Sequence, residues 1–340
     1  MSETGERVAV VGTTGWGTTL AVILARNGHD VLLLARTAAE AETLDRAREN
    51  GRHRPGLALP QRLTVSADAG ALGDASLIAL AVPSQTLAEN LARIAGRPAP
   101  AATLLSAIKG IEPETGRRMS EIVAAHGYAP ERVLALSGPN FAAEIAAGLP
   151  AATVIAGSDR GRAQRAQALL NGPRFRIYTS ADIVGVELGG ALKNVIAIAC
   201  GLSDGLGYGE NAKAALITRG LREISRLGLA CGAEAITFLG LAGIGDLVLS
   251  CESDLSRNRR LGLALAKGLD LDAARAAVGG VVEGAVTAVA VRRLAAQRGV
   301  EMPVCEALYG VLYEGKAPAA AGQELMARAA KAEFEGQPLV

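Results

Sequence analysis

The sequence has few of the residues on which several common kinds of site depend. Aromatic residues make up 3% of the 340 residues, and there are only three histidines and four cysteines. Cys200, Cys231, Cys251 and Cys305 lie far apart, with no CxxC pair and no histidine at ligand spacing. This spacing argues against a zinc site or a disulfide framework, so no metal is expected and the thiols are predicted to be buried or incidental.

Strong charge and long apolar runs are also lacking. The net charge of +1 gives no electrostatic reason to expect nucleic acid or an anionic membrane surface as a partner. The chain begins with a polar stretch, and no uncharged apolar segment reaches the ~18 residues that a membrane span requires. We therefore expect no membrane span and a location in the reducing cytoplasm.

Apolar and small residues are abundant, with 50% hydrophobic residues and 41 glycines. A chain of this length forms two domains by default. In its first half, short apolar runs alternate with helical periods, a pattern typical of a mostly parallel sheet covered on both faces. The expected strands lie near 8–11, 30–36, 63–66, 77–82, 103–107, 133–136, 153–156 and 174–178, and the expected helices near 18–27, 85–94, 113–125, 141–147 and 161–170.

From about residue 182 the apolar period is helical throughout. Helices are expected near 183–203, 211–231, 233–241, 256–267, 271–278, 283–298, 303–313 and 318–333. The sequence therefore predicts an α/β protein whose N-terminal domain, over 1–182, is a Rossmann-like, doubly wound and mostly parallel sheet. The C-terminal domain, over 183–340, is expected to be all-helical.

A glycine turn follows the first expected strand. It reads Gly12-Thr13-Thr14-Gly15-Trp16-Gly17, so Thr14 stands where the second glycine of a GxGxxG motif is usual. Because the turn joins a strand to a helix in a βαβ unit, it favours dinucleotide binding over a merely structural turn. Gly15 is expected to restore some room for the pyrophosphate, and the Thr14 hydroxyl is a candidate phosphate contact.

The end of the second expected strand bears on the choice of cofactor. Where NAD-binding proteins carry an acidic residue for the ribose hydroxyls, this chain has Arg36. A guanidinium at this place fits a 2′-phosphate, so NADP is expected to be accepted, with NAD as the other candidate cofactor. A solvated arginine at a strand end is the structural alternative.

A lone charge lies in one of the most apolar helical runs. Lys193 is the only charged residue of the stretch GGALKNVIAI at 189–198. Desolvation of an ammonium is costly. This lysine should therefore either extend to water or be held against a partner for a chemical purpose.

Other segments carry groups suited to a phosphorylated ligand. Lys109 follows an expected strand in SAIKG (106–110), and SGPNFA (137–142) leads from a strand into a helix, at the edge where ligands bind in open α/β sheets. Asp246 lies in the apolar turn AGIGDL (242–247), as a helix cap or as a partner of Lys193. The run SRNRR (256–260) is either a solvated basic face or a set of donors that match phosphate oxygens.

These segments, together with VVEG at 281–284, occur in the order seen in bacterial NAD(P)-dependent glycerol-3-phosphate dehydrogenases, and the sequence closely resembles that family over nearly its whole length. The resemblance implies reversible hydride transfer between sn-glycerol 3-phosphate and NAD(P)+, with dihydroxyacetone phosphate as the ketone, for the supply of phospholipid backbones. The helical domain would bind the substrate. A homodimer is compatible with the resemblance, which leaves the oligomeric state open.

The resemblance also implies roles for single residues. Lys193 would be the catalytic acid/base, Lys109 would bind the substrate beside the cofactor, and Asp246 would orient the lysine and the substrate. The other implied substrate contacts are Gly138 and Asn140, with Ser256, Arg257 and Asn258 at the phosphate end. The implied cofactor contacts are Gly12, Gly15, Trp16, Gly17, Arg36, Lys109, Ala142, Arg257, Val281 and Glu283. Thr14 departs from the family pattern, as does Asn140 in place of the more usual threonine, and we expect altered cofactor affinity rather than lost function.

Two alternative functions remain open from the sequence. One is a related two-domain hydroxy-acid dehydrogenase of the 6-phosphogluconate or ketopantoate type, against which the SRN and GIGDL segments argue. The other is a non-catalytic NAD(P)-binding regulator. A regulator has no need of Lys109, Lys193 and Asp246 together, so the dehydrogenase is the favoured hypothesis.

Overall fold

The structure is a computed structural model that describes residues 5–330 and 332–333. The chain divides into two units, Met1–Lys109 with Met119–Ile183, and Gly110–Arg118 with Val184–Val340. The segment Gly110–Arg118 therefore belongs to the second unit although the chain returns to the first unit after it, a detail that the sequence pattern did not predict.

The first unit is built on one sheet with the strand order β3-β2-β1-β4-β5-β6-β7-β8, in which β6 and β7 pair antiparallel and all other neighbours are parallel. The strands are β1 (Arg7–Val11), β2 (Asp30–Leu34), β3 (Leu63–Ser66), β4 (Leu77–Leu80), β5 (Thr103–Ser106), β6 (Val133–Ser137), β7 (Ala151–Ala156) and β8 (Phe175–Ser180). The predicted doubly wound, mostly parallel sheet is confirmed.

Two apolar cores cover the two faces of this sheet. Along β1, Val8 and Val10 belong to one core, while Ala9 and Val11 belong to the other. Successive strand residues point to opposite faces, so a strand buried on both sides must be apolar at every position. This requirement explains why the strands appear in the sequence as continuous apolar runs.

The helices of the first unit are α1 (Gly15–Arg26), α2 (Ala38–Ala47), α3 (Leu87–Arg93), α4 (Met119–Ala125), α5 (Ala142–Ala146) and α6 (Arg160–Leu170). Helix α2 was not predicted, because only Ala41 and Leu44 of its residues are buried. The expected helix at 113–125 was wrong in its first half. Residues Ile111 and Arg118 pair as an isolated antiparallel bridge, so the segment between them forms a turn and α4 begins only at Met119.

Over the residues that the structure describes, the second unit is all-helical apart from the Ile111–Arg118 bridge, as predicted. Its helices are α7 (Ile183–Gly205), α8 (Gly209–Ala230), α9 (Asp246–Glu252), α10 (Arg257–Ala266), α11 (Leu271–Val278), α12 (Glu283–Arg298), α13 (Pro303–Tyr313) and α14 (Pro318–Met326). The expected helix at 233–241 is a short 3-10 helix, Ala235–Leu239, and α9 was not predicted at all. The end of the helix expected at 318–333 includes residue 331, which lies outside the described residues.

Helix α7 forms the centre of the second unit, and its apolar residues from Leu188 to Leu202 belong to a single core cluster. Among the described residues, it alone is long and apolar enough to cross a membrane by length and composition, but 89% of its most apolar window is buried inside the protein. Burial of that extent is the property of a core helix. Cys200, Cys251 and Cys305 are buried free thiols and Cys231 is half-buried, in agreement with the predicted role of the cysteines.

Candidate active site

The glycine turn between β1 and α1 has the close packing of a dinucleotide-binding turn. A Cβ atom added at Gly12, where φ is +109°, would lie 2.7 Å from the Ala81 carbonyl oxygen. A Cβ atom at Gly17 would lie 2.1 Å from the carbonyl oxygen of Gly12. Glycine at both positions therefore lets α1 start directly against the strand, which directs its first amides toward the carboxyl edge of the sheet.

Thr14, the departure from the usual motif, caps α1. Its hydroxyl accepts a hydrogen bond from the Gly17 amide at 3.0 Å and donates one to the Ala81 carbonyl oxygen at 2.8 Å. A threonine at this place is a good N-cap because its oxygen satisfies an amide that has no partner within the helix. The hydroxyl that was expected as a phosphate contact is thus bound within the protein, and Gly15 begins the helix one residue later.

Arg36 and Glu40 lie together beside the turn. The Glu40 carboxylate accepts hydrogen bonds from the Thr13 hydroxyl at 2.6 Å and from the Arg36 amide at 3.1 Å, and it lies 3.7 Å from the Arg36 guanidinium. Burial disfavours the charged form of Glu40, but the hydrogen bonds from Thr13 and Arg36 outweigh it, so the pKa of this carboxyl lies below its usual value. The Arg36 side chain is 70% exposed, which leaves it accessible to a ligand.

Glu40 was not predicted as a site residue. Its signal in the sequence was the spacing T-x-x-E, since Thr37 caps α2 by accepting from the Glu40 amide at 3.2 Å. This is the arrangement in which a glutamate at the third helical position turns back to the start of its helix. Here the carboxylate reaches one residue further, to Arg36.

Lys109, Gly138 and Asn140 are brought together at the carboxyl ends of β5 and β6. The Lys109 ammonium donates to the Gly138 carbonyl oxygen at 2.8 Å. The Asn140 side-chain amide donates to the Thr153 hydroxyl at 2.9 Å, and that hydroxyl donates to the Ser137 carbonyl oxygen at the same distance. Ala142 begins α5 immediately after this loop. The sheet edge therefore carries a cation and an amide held by backbone and side-chain contacts.

Lys193 is held inside the second unit. It is 5% exposed, and its ammonium is ion-paired with the carboxylate of Asp246, which is 0% exposed. The ammonium also donates to the Ser250 hydroxyl at 2.6 Å. Of the two outcomes expected for a charge on this apolar helix, the structure shows the second, a lysine held by partners rather than extended to water.

Close backbone contact brings Asp246 to this lysine. A Cβ atom at Gly189 of α7 would lie 2.4 Å from the Ala242 carbonyl oxygen. Gly243 has the non-helical angles φ −102° and ψ −107°, and a Cβ atom there would lie 2.1 Å from the Phe238 carbonyl oxygen. These glycines let the wide helical turn before α9 rest on α7, so the first residue of α9 is the one that meets Lys193.

Ser250 and Asn194 are partners in this site that the sequence did not predict. Ser250 lies four residues after Asp246 on α9, and residues at this spacing share one face of a helix. That signal was lost because α9 itself was not predicted. Asn194 accepts from the side chain of Asn258 at 2.8 Å, and its place beside Lys193 was the available signal.

Ser256, Arg257 and Asn258 begin α10. The Ser256 hydroxyl caps the helix by accepting from the Arg259 amide at 3.2 Å. The side chain of Asn258 joins three helices, because it donates to Asn194 on α7 and accepts from the Gly284 amide on α12 at 3.0 Å. The implied phosphate residue Asn258 is therefore bound directly to the lysine helix through Asn194.

Arg257 lies beside the start of α12. A Cβ atom at Gly280 would lie 2.7 Å from the Arg257 guanidinium, so glycine leaves the room that the guanidinium occupies. Burial lowers the pKa of Arg257, and the nearby Glu283 carboxylate partly opposes this effect. Val281, which lies between Gly280 and Glu283 in the chain, is 39% exposed. The structure thus groups Arg257, Val281 and Glu283 on one surface of the second unit.

Comparisons with known proteins identify the family of the chain. The family model described as the N-terminus of NAD-dependent glycerol-3-phosphate dehydrogenase matches residues 7–163, and the one described as its C-terminus matches residues 182–323. The chain belongs to the NAD-dependent glycerol-3-phosphate dehydrogenase family. The family resemblance inferred from the sequence motifs is therefore confirmed.

The similarity to members of this dehydrogenase family covers nearly the whole chain. Proteins named glycerol-3-phosphate dehydrogenase [NAD(P)+] from Corynebacterium glutamicum and Streptomyces coelicolor are 49% and 46% identical to it, over 96% of this chain and 99% and 98% of their own. The solved structure of glycerol-3-phosphate dehydrogenase from Coxiella burnetii is 38% identical, with a TM-score of 0.90 over 95% of this chain and 99% of that one.

A more distant structural likeness bears on the hydroxy-acid alternative. A ketopantoate reductase from Ralstonia eutropha superposes with a TM-score of 0.61 and 17% identity, over 93% of this chain and 99% of that one. At this identity the likeness shows a common fold only. The glycerol-3-phosphate dehydrogenase family is supported by sequence and structure together, so it is preferred to the ketopantoate type.

Proposed function

We propose that this chain catalyses reversible hydride transfer between sn-glycerol 3-phosphate and NAD(P)+, giving dihydroxyacetone phosphate and NAD(P)H. The observation that carries this proposal is the buried Lys193 ammonium held by Asp246 and Ser250. A helix core has no structural need of a buried lysine, since a buried ion pair stabilises a fold no better than apolar residues of similar volume. The curated relatives carry the name of this activity.

Lys193 has the chemistry of a general acid/base for this reaction. During reduction its ammonium would give a proton to the oxygen of the substrate carbonyl, and during oxidation the neutral amine would take the proton of the hydroxyl. An ammonium has three N–H donors, and the contacts to Asp246 and Ser250 fix how they point. The positive charge also stabilises the negative charge that develops on the oxygen.

Arg257 is proposed to bind the phosphate end of the substrate together with Ser256 and Asn258. A guanidinium presents paired donors that match phosphate oxygens. These residues form the first turn of the ten-residue helix α10, whose amides and dipole add to the attraction for an anion. Lys109, Gly138 and Asn140 of the first unit are proposed as further substrate contacts on the family likeness.

The close-packed glycine turn fits a dinucleotide cofactor. The residues proposed to hold it are Gly12, Gly15, Trp16, Gly17, Arg36, Lys109 and Ala142 in the first unit and Arg257, Val281 and Glu283 in the second. When bound, the cofactor accepts or supplies the hydride at its nicotinamide ring. The exposed guanidinium of Arg36 supports use of NADP, with NAD accepted as well.

The decisive experiment is oxidation of NADPH and of NADH by the purified chain with dihydroxyacetone phosphate, with 6-phosphogluconate oxidation and ketopantoate reduction assayed in parallel. We expect turnover with the triose phosphate alone, and Lys193→Ala should lower kcat by about 10³-fold or more while NADPH still binds. Cofactor binding by a wild-type chain without turnover would favour the regulator instead. We further propose a cytoplasmic location and a homodimer, and light scattering of the purified protein tests the homodimer.

A further inference from the structure

A group of ionic side chains, in which Lys213 is buried and Asp204 and Arg259 are half-buried, joins α7 and α8 to α10. We name it the Asp204 network after its central carboxylate, which binds both Lys213 and Arg259. Three exposed carboxylates complete it. They are Glu210, Glu252 and Asp254.

The geometry of the network is that of a bridge through one aspartate. Lys213 lies 3.2 Å from one oxygen of Asp204. Arg259 binds the other oxygen with two nitrogens, at 2.9 Å and 2.7 Å. Because each oxygen serves one cation, Asp204 can be satisfied only when the helices that carry Lys213 and Arg259 are both in place.

Burial makes this bridge stronger than a surface ion pair. The side chains of Asp204, Lys213 and Arg259 are 12%, 6% and 13% exposed, whereas that of Asp254 is 91% exposed. Burial works against the charge on Lys213, but the surrounding carboxylates outweigh it and hold its pKa well above the usual value. Loss of Asp204 would remove the one carboxylate that both cations share and would leave each of them with more exposed carboxylates, Glu210 and Glu252 beside Lys213 and Asp254 beside Arg259.

The network connects the helices that carry the proposed site. Asp204 lies at the end of α7, the helix of Lys193, and Arg259 lies in the first turn of α10, directly after Arg257 and Asn258. Lys213 on α8 also contacts Glu252 at 3.3 Å, and Glu252 is the last residue of α9. The network therefore ties the end of α9 and the start of α10 to the end of α7.

The backbones of α7 and α10 also touch beside the network. A Cβ atom at Gly201 would lie 2.0 Å from the Arg259 carbonyl oxygen, and one at Gly262 would lie 2.1 Å from the Ile198 carbonyl oxygen. This contact sets the distance between the helices. It leaves the sliding and rotation of the two helices to directional side-chain bonds, among them the bond from Asn258 to Asn194 and the bonds from Arg259 to Asp204.

We propose that Asp204 is a positioning residue for the phosphate end of the substrate, acting through Arg259 on the start of α10 and through Lys213 on the end of α9. The inference rests on the proposed function, because it takes Arg257 and Ser256 as the phosphate contacts. Neither Asp204 nor its two cations touches the substrate. Their effect is on the distance from Lys193 to the phosphate site, which must match the length of one triose phosphate.

The test compares two ketones that differ only in the phosphate, dihydroxyacetone phosphate and dihydroxyacetone. The ratio of their kcat/KM values, measured on one protein sample, does not depend on how much of the sample is folded. In Asp204→Asn we expect this ratio to fall about tenfold or more, mainly through a higher KM for the phosphorylated ketone. The matched control is Asp254→Asn, which removes the same charge from the same arginine at an exposed position and should change the ratio by less than about twofold.

Two further measurements keep the outcome clear. Lys213→Met removes the other cation of the network and also serves if Asp204→Asn does not fold. It should likewise lower the ratio of the two kcat/KM values. Calorimetric binding of glycerol 3-phosphate, which needs no turnover, should weaken by a similar factor in both variants. An unchanged ratio and unchanged binding, or an equal fall in Asp254→Asn, would overturn the positioning role. Wild-type protein that binds glycerol 3-phosphate without turnover would instead contradict the proposed activity alone.

Discussion

The pair of Lys193 and Asp246 should be worth more to the activity of the protein than to its stability. Asp246 is 0% exposed and Lys193 is 5% exposed, so Asp246→Asn replaces the carboxylate beside a buried ammonium with a neutral amide, while the Ser250 hydroxyl stays. Removal of one partner of a buried pair costs about 3–5 kcal/mol. For a domain of this size that corresponds to a fall in Tm of about 10 °C.

The double variant Lys193→Met/Asp246→Leu tests whether the expected fall in Tm comes from the uncompensated buried charge. Both charges are replaced by apolar side chains of similar size, so most of the lost stability should return although the protein stays inactive. Thermal unfolding followed by circular dichroism measures both variants. Asp272→Asn is the control, because it removes a carboxylate whose side chain is 95% exposed and should shift Tm by no more than about 2 °C. The reasoning would be refuted if the fall in Tm of the double variant equalled the sum of the falls in the two single variants, Lys193→Met and Asp246→Leu.

Three other predictions concern binding and pH. Arg257→Ala should raise the KM for dihydroxyacetone phosphate by about 10²-fold with a smaller effect on kcat; an unchanged KM would remove Arg257 from the phosphate site. In fluorescence titrations, Arg36→Asp should weaken the binding of NADPH relative to that of NADH. Glu40→Gln removes the charge that competes for Arg36 and should tighten the binding of NADPH. If neither variant changes the ratio of the NADPH and NADH affinities, Arg36 is only a surface residue. Burial raises the pKa of Glu223 although two amides at the start of α13 bind its carboxylate. The stability that its protonated form contributes is therefore lost as the pH rises through that pKa, and Glu223→Gln should flatten the fall in Tm as the pH rises above the usual pKa of a glutamate.

Regular elements with strong local signals were predictable from the sequence. Helices α11, α12 and α13 have the bounds expected from the sequence, because each has a start or stop signal of its own. Asp270 caps α11, a proline begins α13, and Gly299 ends α12 in the left-handed conformation. The strands were likewise predictable, since burial on both faces of the sheet makes them continuously apolar.

Elements that depend on distant packing were not predictable in the same way. Helix α9 has seven residues, which is too short for a period to stand out, and it follows a glycine turn that reads as a loop. The bridge of Ile111 with Arg118 replaced half of an expected helix for a similar reason. Ile111 is 1% exposed in the core of the second unit, and nothing near it in the chain indicates that burial.

The sequence by itself determined the fold class, the family and the presence of one unexplained charge on an apolar helix. It did so because strand burial, helix period and motif order are local properties of the chain. Only the tertiary structure decided what that charge does, since Asp246 and Ser250 lie 53 and 57 residues from Lys193 and meet it through glycine contacts that have no local signal. The partners of Asp204 were likewise decided only by the tertiary structure, because Lys213 and Arg259 belong to two other helices.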